Sequence, residues 1–121
     1  MSTTTHSPKR GEIWIVNFDP TLGSEIRKRR PAVVISSNDA GSLPVKLVAP
    51  ITAWDYKYAG KVWHVQVKAA QSNGLVKTSS VDTMQLRSAD VQRFLTRIGS
   101  FSKSEMDEIN FAIASVIEYE P

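Results

Sequence analysis

No cysteine occurs among the 121 residues, which removes disulfides and thiolate metal sites together. Histidine is almost as scarce. His6 and His64 are the only two, so neither an HExxH pair nor a Ser-His-Asp constellation can be assembled. The six glycines never fall into the spacing of a GxxxxGK or GxGxxG phosphate loop. Apolar runs are short of a membrane span, and the opening "MSTTTHSPKR" has no apolar signal-peptide core. These absences predict a soluble, cytoplasmic protein with no metal and no cofactor, stabilised by packing. Any chemistry falls to Arg, Lys, Glu, Asp, Ser and Thr.

What is present is positive charge, unevenly placed. The chain is 41% hydrophobic, enough for one domain with a real core, and carries a net charge of +3 with a pI near 9.3. Residues 1–77 hold 11 Lys or Arg against 5 Asp or Glu, whereas residues 78–121 hold 4 against 7. A basic portion joined to an acidic one fits a nucleic-acid partner, although Lys and Arg also serve simply to solubilise loops. The charge peaks in "GSEIRKRRPAVVISS" (23–37), where four consecutive basic residues run into Pro31 and an apolar strand.

Residues 1–8 are small and polar and read as a disordered tail, leaving a single domain over 9–121. "GEIWIVNF" (11–18) is β-branched and aromatic on both faces, as a central strand would be. "PAVVISS" (31–37) and "VKLVAPIT" (45–52) give two more strands, with Pro31 tolerated at a strand start. "VWHVQVKA" (62–69) alternates, placing Trp63, Val65 and Val67 on one face and His64, Gln66 and Lys68 on the other, towards solvent. "SSVDTMQLRS" (79–88) reads as one continuous strand with Ser80, Asp82 and Met84 on a common face. A helical turn capped by Ser88 and a short strand "LTRIGS" (95–100) follow. "SKSE" has capping-box spacing, with Ser102 at N-cap and Glu105 at N3. Met106, Ile109, Ile113, Val116 and Ile117 then form an apolar helical stripe. Several short strands closed by one helix predict a mainly β fold with a helix (α+β), a small barrel of five to seven strands.

"RGEIWIVNFDPTLGSE", "RRPAVVIS", "APIT" and "GLVKTSSVDTMQLRSAD" resemble, in matching order and spacing, the successive motifs of the MazF/PemK family of toxin endoribonucleases. The resemblance covers about residues 9–119. It implies an SH3-like, CcdB-like barrel and a homodimer, and metal-independent, sequence-specific cleavage of single-stranded RNA. It further implies inhibition by a cognate antitoxin whose acidic, flexible tail lies in the RNA groove. Gyrase-poisoning toxins use the same barrel without cleaving anything, so a non-catalytic toxin or binding module is the alternative.

Residue by residue, the resemblance makes Arg30 the catalytic arginine and Thr52, ending "APIT", the active-site threonine. RNA carries its own nucleophile, the 2′-hydroxyl, so cleavage asks only for a base, an acid and positive charge on the phosphoryl oxygens. A guanidinium supplies that charge directionally. Ser24 and Glu25 belong to the "GSE" signature bordering the groove. Glu25 is a candidate base or merely neutralises the cluster, and Asp82 is a second candidate. Arg27, Lys28 and Arg29 are expected to bind the RNA backbone in a salt-sensitive way. Ser80, Asp82 and Gln85 line the same region in this reading. Trp54, Tyr56 and Tyr58 either stack on unpaired bases or belong to the core or an interface. Two departures stand out. Ile26, Arg27, Lys28 and Arg29 occupy a stretch where many members have Gln and small residues, and Met84 precedes Gln85 where an acidic residue is common.

Overall fold

The structure is a computed structural model that describes residues 7–20, 22–25, 27–40 and 44–120. Residues 1–6 of the expected tail, Ile26 of the basic loop and residues 41–43 of an expected turn lie outside the described residues. Pro8, the last residue of the expected tail, is buried.

Among the described residues, seven strands and one α-helix follow in order: β1 (Glu12–Asn17), β2 (Arg29–Val34), β3 (Val45–Ala53), β4 (His64–Val67), β5 (Ser79–Asp82), β6 (Arg87–Asp90), β7 (Phe94–Ser100) and α1 (Lys103–Val116). All pairings are antiparallel, in the order β4-β5-β3-β2-β1-β7, with β6 also against β3. The nine-residue β3 is the spine. One edge pairs with β2, and the other pairs with β6 near its start and with β5 near its end. This is the expected mainly β fold with a C-terminal helix.

β1 is apolar on both faces because both are covered. Ile13 joins Val33, Ala49, Ile51, Val67 and Val81 beneath Met106 and Ile109 of α1. Trp14 and Val16 join Phe18, Ala32, Val34, Val48, Ala89 and Phe94 on the opposite side. Full burial of such side chains contributes about 1.5–3 kcal/mol each. The helix starts where its capping box sets it: Ser102 Oγ accepts from Glu105 N, and Glu105 returns a carboxylate oxygen to Ser102 N. Met106 and Ile109 are buried, but Ile117 lies past the last helical turn and is 65% exposed, so the stripe ends before it. Among the described residues no helix is long and apolar enough to cross a membrane.

Three local expectations are corrected. β2 begins at Arg29, not Pro31, which draws Arg29 and Arg30 into the ladder opposite Asn17 and Val16. The single strand expected over 79–88 is broken by a 3₁₀ turn, Thr83–Gln85. Asp82 Oδ1 accepts from Met84 N, while Thr83 donates through both N and Oγ1 to the Trp63 carbonyl, so ladder pairing stops and Met84 leaves the shared face. The helical turn expected after Ser88 lies instead at Val91–Arg93, capped by Asp90 Oδ1 on Gln92 N, because β6 first pairs with β3 through Asp90.

Candidate functional site

Strand alternation and register assemble one polar face. On β3, Pro50 and Thr52 continue the face of Val48, and on β2, Arg30 continues that of Ala32 and Val34. The β2–β3 ladder ends at Ala32 opposite Pro50; Arg30 and Thr52, two residues beyond it on each strand, line one crevice. Thr52 is paired with Ser80, Ser80 with Gln66, and Asp82 with His64. Thr52, Ser80 and Gln66 therefore form one row across β3, β5 and β4, with Asp82 paired to His64 in the next row.

Two recesses divide the expected site residues. A crevice of about 370 Å³ is lined by Arg30 and Thr52 with Pro31, Ile51, Lys77 and Ser79 among others. A larger cavity of about 610 Å³ is lined by Ser24, Glu25, Asp82 and Gln85, together with Phe18, Pro50, Trp63, Met84, Leu86 and Arg87. Gln85 Nε2 donates to the Ser24 carbonyl at 3.2 Å, tying the β1–β2 loop to the turn after β5. Glu25 is exposed, and one of its carboxylate oxygens accepts from Leu22 N at 2.7 Å, which shapes the loop.

The basic run forms the mouth of this face. Arg27, Lys28, Arg29 and Arg30 are all exposed, and among the described residues none lies within salt-bridge distance of a carboxylate. Arg30 Nε donates to the Arg27 carbonyl and Arg27 Nη2 to the Gly23 carbonyl, both at 3.4 Å. Lys28 sits at φ 65°, a left-handed conformation that a glycine adopts freely, its N–H on Asp19 Oδ1 and its carbonyl on Phe18 N. Small residues are the natural choice there; this chain spends the position on a cation. Arg93 Nη1 donates to the Asn17 and Asp19 carbonyls, pinning the start of the loop.

Other expected contacts are reassigned. Ser80 is completely buried, with its hydroxyl 2.9 Å from His64 Nδ1, so it supports the histidine rather than reaching outward. His64, expected to face solvent, is half-buried and lies flat on Tyr58, with ring centroids 3.8 Å apart at 8°. Trp54 meets Tyr58 edge-on at 5.7 Å. Tyr56, 87% exposed, is the aromatic of this loop left open to a stacking partner. Burial lowers the His64 pKa below 6.5; Asp82 opposes the shift, and Lys61 and Lys57 add to it. His64, Trp63 and Arg87 escaped the sequence reading as site residues. For His64, only the pairing of β4 with β5 reveals its partners. Among the described residues no group of three or more His, Asp or Glu is placed to hold a metal ion.

Residues 9–117 match the family model described as "PemK-like, MazF-like toxin of type II toxin-antitoxin system". The chain is 35% identical to endoribonuclease MazF9 of Mycobacterium tuberculosis, over 87% of this chain and 92% of that relative. It is 34% identical to endoribonuclease EndoA of Bacillus subtilis, over 87% and 90%. Among solved structures, MazF of Deinococcus radiodurans (form I) superposes with a TM-score of 0.77 at 23% identity, covering 93% of this chain and 98% of that one. A MazE–MazF complex from the same organism (form II) contains a chain that superposes at 0.71 and 22% identity, covering 95% and 99%. At those identities the structures speak for the fold, and the family model and sequence relatives supply the rest: this chain belongs to the PemK-like, MazF-like toxins of type II toxin–antitoxin systems.

Proposed function

We propose that this chain is the toxin of a toxin–antitoxin pair, a metal-independent endoribonuclease that cuts single-stranded RNA at a short sequence motif and thereby inhibits translation. The observation that carries the reading is a crevice lined by both Arg30 and Thr52, beside a run of four cations, Arg27 to Arg30, that have no carboxylate within salt-bridge distance among the described residues. Unpaired guanidinium and ammonium groups bind phosphates, and loss of their counterions makes that binding salt-dependent.

In this reading Arg27, Lys28 and Arg29 hold the RNA backbone, and Tyr56 stacks on an unpaired base. Arg30 donates to the non-bridging oxygens of the scissile phosphate, with Thr52 beside it. A carboxylate of the larger cavity, Glu25, takes the proton of the 2′-hydroxyl. The freed oxygen attacks phosphorus, the bond to the 5′-oxygen breaks, and that oxygen leaves with a proton. The products are a 2′,3′-cyclic phosphate and a 5′-hydroxyl. No cofactor enters. The protein acts in the cytoplasm, where its RNA is, as a homodimer, and an acidic antitoxin segment silences it by occupying the same basic face.

The test is incubation with long RNA in EDTA, followed by mapping of product ends. Discrete cuts with cyclic or 3′-phosphate and 5′-hydroxyl termini are expected. Arg30→Ala should lower the cleavage rate by about 100-fold or more, the usual cost of removing one donor to a developing charge, while circular dichroism stays unchanged. RNA left intact across diverse substrates, or full activity in Arg30→Ala, overturns the reading and favours a protein-binding toxin.

A further inference from the structure

The larger cavity contains more than a cleavage reaction requires. Its 610 Å³ lies within the range of small-molecule sites, roughly 300–1,000 Å³. Phe18, Pro50, Trp63, Met84 and Leu86 supply apolar walls for a planar ring. Two charged side chains line it as well. Asp82 is 9% exposed, and its Oδ1 accepts from Met84 N at 3.1 Å. Its Oδ2 has no protein partner among the described residues. A buried acceptor without a donor costs free energy until something supplies one. The Arg87 guanidinium lies over the Phe18 ring, 5.5 Å from its centroid, which steadies its donors at the cavity wall.

We propose that this cavity binds one unpaired adenine or cytosine and rejects uracil, with Asp82 Oδ2 accepting from the amine and Arg87 donating to the neighbouring ring acceptor. Adenine and cytosine both present an amino donor beside an acceptor nitrogen on the Watson–Crick edge. Guanine presents its own amine beside a second donor. Uracil puts a carbonyl oxygen where adenine and cytosine carry the amine, and two acceptors then face each other. A site built around a hydrogen bond discriminates strongly against the ligand that lacks it. The occupant is an RNA base because Ser24 and Glu25, which line the cavity, belong to the same β1–β2 loop as the cations of residues 27–30, which gather a phosphate backbone. This inference rests on the endoribonuclease reading above and deepens it: Asp82 sets specificity, and the chemistry falls to Arg30, Thr52 and Glu25.

Binding of short oligo(dA), oligo(dC) and oligo(dU), which lack the 2′-hydroxyl and cannot be cut, separates recognition from cleavage. Wild type is expected to hold oligo(dA) or oligo(dC) about tenfold or more tightly than oligo(dU), the discrimination of one good base contact. Asp82→Asn still accepts from Met84 N, so the turn survives, but its amide donates to the uracil carbonyl; the ratio should collapse to about one or invert. Asp82→Ser keeps an oxygen for Met84 N without the reach, and should flatten the ratio without inverting it. Equal wild-type affinities, no binding of any of the three, or an unchanged ratio in both variants overturns the proposal. If RNA is cut while the ratio is flat, the base pocket falls and the nuclease reading stands. If RNA stays intact while the ratio holds, the reverse is true.

Discussion

A histidine between two lysines and an aspartate shows how much one residue's neighbours decide. His64 is stacked on Tyr58, bonded to Ser80, level with Asp82, and near Lys61 and Lys57. Burial disfavours its imidazolium, the lysines push the same way, and only Asp82 pulls back, so its pKa in the fold lies below 6.5. The sign follows. Between the folded pKa and 6.5 the unfolded chain binds the proton more readily, so native stability falls as pH drops through that window. His64→Gln keeps a polar group near Ser80 and cannot titrate. Urea unfolding at about pH 7.5 and about pH 5 should therefore show a smaller loss of stability in His64→Gln than in wild type. Equal losses would mean that protonation at position 64 is not coupled to folding.

At the level of elements, the β1–β2 loop separates anchoring from binding. Its base is fixed by Phe18, Asp19 and Arg93, none of which needs the cationic heads of residues 27–29. Arg27, Lys28 and Arg29 changed together to Ala should leave the loop's base in place and weaken RNA binding. Each lost phosphate contact on a single strand should reduce the slope of log affinity against log salt by about 0.7. A titration series with an unchanged slope would contradict that role. Other parts of this architecture were readable in advance. The two-faced apolarity of β1, the alternation of β4 and the capping box of α1 are local patterns, and local patterns survive folding. The break at Asp82 was not readable, because it depends on Thr83 reaching the Trp63 carbonyl across the sheet. Nor was the start of β2 at Arg29, set by pairing with Asn17. The site divides along the same line. Arg30 and Thr52 were singled out from motifs, whereas the crevice they share, the burial of Ser80, and the split between Tyr56 and the Trp54–Tyr58–His64 stack exist only once β2, β3, β5 and β4 lie side by side.

Over the whole molecule the charge asymmetry becomes spatial. The cations of residues 27–30 lie together in the β1–β2 loop and the start of β2, while α1 carries Glu105, Asp107 and Glu108, the last two lining a separate recess with Val62, Val65, Gln66 and Phe111. An RNA strand and a flexible acidic peptide are both extended polyanions, and the same basic run answers the charge of either. They should therefore compete. Titrating polyglutamate into a complex of the protein with fluorescent single-stranded RNA at low salt should release the RNA, raising its apparent Kd in proportion to peptide concentration. The release should weaken as salt rises, because screening at about 0.15 M already confines exposed charges to about 8 Å. Asp107→Asn with Glu108→Gln, on the helix and away from the basic face, should compete as wild type does. RNA that stays bound at saturating polyglutamate, or a ternary complex in which both are held, would place the acidic ligand on a different surface and detach inhibition from the RNA groove.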